Sequence, residues 1–120
     1  MKYWLEQLNG NIFFVAGSHD DQELDGLIQH HAYTLKYRDN PFLLIHNPAD
    51  IPDDWHGWVI HGHVHNNDLE YFPFINGDFK TINVSVELIG YSPVNIERLY
   101  ELYFDKIKYM RDISTSPIYY

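Results

Sequence analysis

The sequence predicts an α/β fold, a mixed β-sheet flanked by helices, on three observations. Three apolar runs of strand length, Ile12–Val15, Phe42–Ile45 and Trp58–Ile60, each lead into a turn that carries histidine. Continuous apolar runs this short suit strands covered on both faces, the usual setting of parallel strands. Asn76-Gly77 stands between Tyr71–Ile75 and Phe79–Val86 and is the strongest hairpin signal in the chain, so part of the sheet is antiparallel. After Gly90-Tyr91-Ser92-Pro93, apolar residues Ile96, Leu99, Tyr100, Tyr103, Ile107 and Met110 recur at helical spacing. They predict a C-terminal helix over about 95–111, with Asn95 as its N-cap.

The remaining elements follow in order. Trp4, Leu5 and Leu8 share a helical face that stops at Asn9-Gly10. Gly17-Ser18-His19-Asp20 forms the loop after the first strand, where Ser18 or Asp20 can cap a helix from about Gln22 to His30. Tyr33–Tyr37 reads as a short strand, Pro48 ends the strand Phe42–Ile45, and Pro52–His56 and Asn66–Glu70 read as loops.

A length of 120 residues predicts a single domain. The net charge of -9 argues against a protein that grips nucleic acid through its phosphates, which needs a basic track. It leaves room for a phosphate-ester substrate, because a bound cation can supply the local positive charge. No Cys is present, which removes disulfides, thiolate metal sites and Cys nucleophiles. Glu6, Gln7, Asn9 and Asn11 interrupt any signal-peptide core, and no apolar run approaches a membrane span, so the expectation is a cytoplasmic domain without membrane contact. The many tyrosines suit a partner surface as well as a core.

The chemistry concentrates at His61-Gly62-His63-Val64-His65-Asn66. In an extended segment His63 and His65 point to one side, and Gly62 lets the backbone come close to whatever they hold. Neutral imidazole suits zinc, iron, copper and nickel. On this stretch alone the other reading, a His-x-His pair on an exposed strand end, stands equally open. If the three apolar strands are neighbours, His19, His46, His63 and His65 gather at the carboxyl edge of the sheet, where α/β proteins bind ligands. His61 reads as the strand end, and His30, His31 and His56 as surface.

Taken together, these turns resemble the C-terminal half of the calcineurin-like metallophosphoesterase family. Gly17-Ser18-His19-Asp20 is similar to its Gly-Asn-His-Asp/Glu block, and Ile45-His46-Asn47-Pro48 to its lone strand-end histidine. Gly62-His63-Val64-His65 is similar to its Gly-His-x-His block. Asn83-Val84-Ser85-Val86 and Tyr91-Ser92-Pro93-Val94 resemble the ending of one branch of the family. The resemblance implies half of a four-layer αββα sandwich, and phosphate-ester hydrolysis by two divalent metals, manganese, iron or zinc. It makes His46 and His63 ligands of the second metal and His65 a ligand of the first. Ser18 stands where the family has its Asn ligand. His19 becomes the residue that protonates the leaving group, and Asp20 the carboxylate that orients it.

The family's Asp-x-His block and its metal-bridging Gly-Asp block have no counterpart here; the one Gly-Asp, Gly77-Asp78, falls in the predicted hairpin. Two close dications need anionic ligands between them, and the matched positions supply none. Three readings therefore follow. The chain is one half of a hydrolase whose complementing N-terminal-half chain brings the missing blocks; or it is a non-catalytic metal-binding or assembly module; or it is a truncated member with the parent activity. A homo-oligomer or tightly held partner is expected to cover the edge of Ile12–Val15 and the apolar face of the C-terminal helix.

Overall fold

The computed structural model describes residues 13–15, 28–30 and 32–120. Two short strands, β1 (Phe13–Val15) and β2 (Ile28–His30), pair in parallel as a sheet of their own. The helix expected to end at His30 is corrected there, since Ile28–His30 is strand. Its earlier residues, with the Trp4–Leu8 segment and Ser18, His19 and Asp20, lie outside the described residues.

The main body is a mixed seven-stranded sheet with short helices, an α/β-type architecture. Its strands are β3 (Ala32–Tyr37), β4 (Asn40–Ile45), β5 (Trp58–His61), β6 (Ile75–Asn76), β7 (Thr81–Asn83), β8 (Ile107–Met110) and β9 (Ile118–Tyr119), in the spatial order β3-β4-β5-β7-β6-β8-β9. β4, β5 and β7 run parallel, and the other pairings are antiparallel. The hairpin expected at Asn76-Gly77 forms with shorter strands: β6 and β7 pair with Ile75 opposite Ile82 and Asn76 opposite Thr81. Residues 71–74 and 79–80, expected as strand, are turns and bends, and Asn76 ends β6. A second hairpin joins β3 to β4 through Arg38 and Asp39, both at positive φ (49° and 64°). Two such residues make the turn whose twist matches the flanking strands.

The apolar runs are continuous because both sheet faces are covered. In β4, Phe42 packs into one cluster with Phe74, Ile75, Ile82, Leu99 and Phe104, while Leu43 and Ile45 pack into another with Val59. β5 splits the same way, Trp58 and Ile60 against the first cluster and Val59 in the second. Of the three apolar strands, β4 and β5 are neighbours, and β1 pairs with β2.

The C-terminal helix is shorter than its apolar stripe. Helix α1 spans Ile96–Glu101, with Asn95 capping it as expected through a bond from the Glu97 N–H at 2.9 Å. The helix stops because Tyr103 turns left-handed, at φ 56°. A 3-10 turn, Phe104–Lys106, then feeds β8, which pairs with β6 through Ile75–Met110 and Asn76–Tyr109. A register shift between Ile107 and Tyr109 breaks the strand alternation, so Ile107 and Met110, three apart, both reach the first cluster. A bulged strand thus imitates helical spacing.

Several tyrosines hold the chain's own backbone. Tyr100 Oη donates to the Tyr37 carbonyl at 2.9 Å, Tyr109 to Leu69 at 2.8 Å and Tyr119 to Leu102 at 2.8 Å. Their rings supply apolar contact, and their hydroxyls donate to backbone carbonyls distant in sequence. Among the described residues no helix is long and apolar enough to cross a membrane.

Candidate metal centre

The site is built where β4 and β5 end side by side. Their parallel register, Phe42 to Trp58 through Leu44 to Ile60, brings both carboxyl ends to the same edge. The Gly62 N–H donates to the His46 carbonyl at 3.0 Å, carrying the pairing one step past both strands. After His46 the Asn47 side chain accepts from the Ala49 N–H at 2.9 Å and starts the 3-10 turn Pro48–Asp50, which leads the chain away.

Beyond β5 the backbone folds back sharply. The Val64 N–H donates to the Gly62 carbonyl at 2.8 Å, closing a three-residue turn around His63, whose φ is 70°. His65 is also left-handed, at φ 52°. Such turns and conformations are rare for a residue with a side chain and cost about 1–3 kcal/mol each. The strain falls on the two histidines and not on Gly62. A Cβ built there would meet, among the described residues, only Ser85 Oγ at 3.8 Å, an ordinary contact.

This geometry places His46 Nε2 3.1 Å from His63 Nδ1, with ring centroids 5.0 Å apart and the rings at 74°. Two nitrogens sharing one tetrahedral cation at about 2.0–2.1 Å stand roughly 3.3 Å apart, close to the separation of this pair. In its absence one ring can donate to the other. His65 turns elsewhere: its Nδ1 lies 2.8 and 3.2 Å from the two carboxylate oxygens of Glu87. Among the described residues no group of three or more His, Asp or Glu side chains gathers as a cation site. The structure therefore joins His46 to His63, sets His65 against Glu87, and leaves Ser18, His19 and Asp20 undescribed.

Two residues that spacing did not mark out support this arrangement. Asn83, fully buried on β7, donates through its side-chain amide to the carbonyls of His65 (3.0 Å) and Phe72 (3.1 Å). Its own carbonyl accepts from the Ser85 N–H at 3.0 Å. Glu87, in the 3-10 turn Val86–Leu88, meets the His65 ring across 22 positions of sequence. No sequence pattern reveals a contact of that kind.

His61 stays apart from this chemistry. It is buried, Nδ1 donates to the Gly62 carbonyl at 3.0 Å, and its ring stands edge-on to Phe72. Burial pushes its pKa below the ordinary imidazole value, partly opposed by the Gly62 bond. Its Nε2 and Ser85 Oγ are buried without a hydrogen-bond partner among the described residues. His56 is exposed in the loop before β5. A cleft of about 250 Å³, lined by Leu44, Ile45, His46, His61, Gly62 and Val84, opens at the strand ends.

No family model matches the chain, and no solved structure matches it. It is 43% identical over 112 residues to the uncharacterized protein MJ1445 of Methanocaldococcus jannaschii, a match spanning 92% of this chain. The matched stretch makes up 59% of that relative, so the chain corresponds to about three-fifths of a longer protein.

Proposed function

We propose that the chain carries the histidine half of a metal-dependent phosphoesterase site, in which His46 and His63 hold one divalent cation. The observation that carries this reading is their 3.1 Å approach from the carboxyl ends of adjacent parallel strands, achieved at the cost of a left-handed His63. Backbone strain retained at one position is explained by what the side chain must reach. The order of the Gly-Ser-His-Asp, Ile-His-Asn-Pro and Gly-His-Val-His blocks supports a calcineurin-like metallophosphoesterase ancestry and a half-sandwich of that fold. A bound manganese, iron or zinc ion would supply Lewis acidity toward a phosphoryl oxygen and acidify a bound water. His65 stands ready for a further cation. The remaining ligands come from Ser18 and from a complementing chain that carries the Asp-x-His and Gly-Asp blocks, with His19, oriented by Asp20, as the proton donor to the leaving group.

A second reading, a non-catalytic module holding a single cation, is favoured by one observation: only two ligands converge among the described residues. The two separate in one experiment. Protein purified without chelator is analysed for bound metal, then assayed with manganese on generic phosphomonoesters and phosphodiesters, wild type beside His63→Ala. Hydrolysis lost in the variant supports the hydrolase; metal content that depends on His63 without hydrolysis supports the module. Metal content indifferent to His63 sinks both. Light scattering after size exclusion reports whether a partner copy is present in either case.

A further inference from the structure

We infer that Glu87 sets the tautomer of His65, leaving Nε2 as the electron-pair donor of that imidazole. The purpose of the arrangement rests on the metal-centre reading above; its geometry does not. The His65 Nδ1 lies 2.8 and 3.2 Å from the two oxygens of the Glu87 carboxylate. An ionised carboxylate offers only lone pairs, so Nδ1 carries the proton, and in a neutral ring Nε2 is then bare. Glu87 is the more sheltered partner, its side chain 26% exposed against 56% for His65.

The segment that delivers Glu87 also holds the backbone of His65. Asn83 donates to the His65 carbonyl at 3.0 Å, the Ser85 N–H donates back to Asn83 Oδ1 at 3.0 Å, and the Leu88 N–H donates to the Ser85 carbonyl at 2.9 Å. One short stretch thus grips His65 at its main-chain oxygen and at one ring nitrogen. An ordinary surface ion pair fixes neither tautomer nor backbone and contributes little. A carboxylate behind an imidazole fixes the ring and raises its basicity toward a metal on the far nitrogen. Glu87 acts through His65 and is therefore a positioning residue.

The test is the tautomer itself, read by long-range proton–nitrogen NMR of the imidazoles in metal-free protein at alkaline pH. His65 signals are assigned by their loss in His65→Gln. Wild type is expected to show Nδ1–H, and Glu87→Gln to keep it, because the amide oxygen still accepts. Glu87→Ala is expected to populate Nε2–H. An Nε2–H ring in wild type, or an unchanged tautomer in folded Glu87→Ala, overturns the inference. A Mn²⁺ titration adds a second measurement, with Glu87→Ala expected to weaken uptake about 10–100-fold. Uptake that depends on His65 but ignores Glu87→Ala also counts against the inference. Equal uptake by wild type and His63→Ala defeats the metal-centre reading instead, while the tautomer still decides the role of Glu87.

Discussion

The Gly62 N–H donates to the His46 carbonyl at 3.0 Å, and this one backbone bond sets the distance between two strand ends. It lies just outside the β4–β5 ladder, where the two chains would otherwise diverge toward their separate loops. With the main chains held there, a left-handed His63 is enough to bring its ring to that of His46. Backbone pairing fixes the approach, and local strain aims the side chain.

Cation binding should therefore appear as stabilisation that needs both rings. At a hundredfold excess over Kd, Mn²⁺ or Zn²⁺ adds about 2.7 kcal/mol to unfolding, seen as a rise in Tm by calorimetry. Either His46→Ala or His63→Ala should abolish the rise, and the double variant should lose no more, since the two act as one unit. His63→Gly, which relieves φ 70°, should lose the cation effect yet match or exceed wild-type stability without metal by up to about 1 kcal/mol. Equal Tm shifts in all variants would place the cation elsewhere.

Asn83→Ala should cost about 3 kcal/mol in denaturant unfolding, because a fully buried amide group with three bonds is removed. Amide exchange should quicken first near His65, whose carbonyl loses its donor. A cost below about 1 kcal/mol would mean that water replaces those bonds freely.

Gly77→Ala tests the packing of the antiparallel half. A Cβ at Gly77 would lie 2.0 Å from the Ile107 carbonyl oxygen, so β8 must move. The same glycine donates its N–H to the Lys108 carbonyl at 2.9 Å. The expected loss is about 1–3 kcal/mol, with β8 and β9 amides exchanging faster than those of β4 and β5. Uniform exchange across the sheet would contradict this.

Asp112 gives a pH dependence. Its carboxylate accepts from the Ser114 hydroxyl at 2.6 Å and the Ser114 N–H at 2.9 Å, and Arg111 lies 3.2 Å away. The Ser114 hydroxyl foremost, helped by its N–H and Arg111, holds the pKa below the ordinary aspartate value against the opposing effect of burial. As pH falls below about 4, the unfolded chain takes up this proton before the folded one, and stability drops until the folded group is protonated too. Asp112→Ala should cost about 1 kcal/mol near neutral pH and progressively less under acid. A pH-independent difference would show that the contribution does not come from the charge.

Burial patterns were the legible part of the sequence. Phe42–Ile45 and Trp58–Ile60 announced doubly covered strands, Asn76-Gly77 announced its hairpin, and Asn95 announced its cap. The apolar stripe beyond Glu101 imitates a helix because the bulge at Ile107–Tyr109 puts apolar residues three apart on one face. The pairing of β1 with β2 was equally hidden, since an apolar strand does not name its neighbour.

At the site, residue type and strand-end position marked His46, His63 and His65 as candidate ligands, and spacing alone paired His63 with His65; only the family resemblance paired His46 with His63. Folding alone decided that these two meet, that His65 turns to Glu87, and that Asn83 fastens the loop between them. Those contacts join residues 17, 22 and 18 positions apart. They depend on which strands lie side by side and on where the backbone turns left-handed, and a linear pattern encodes neither.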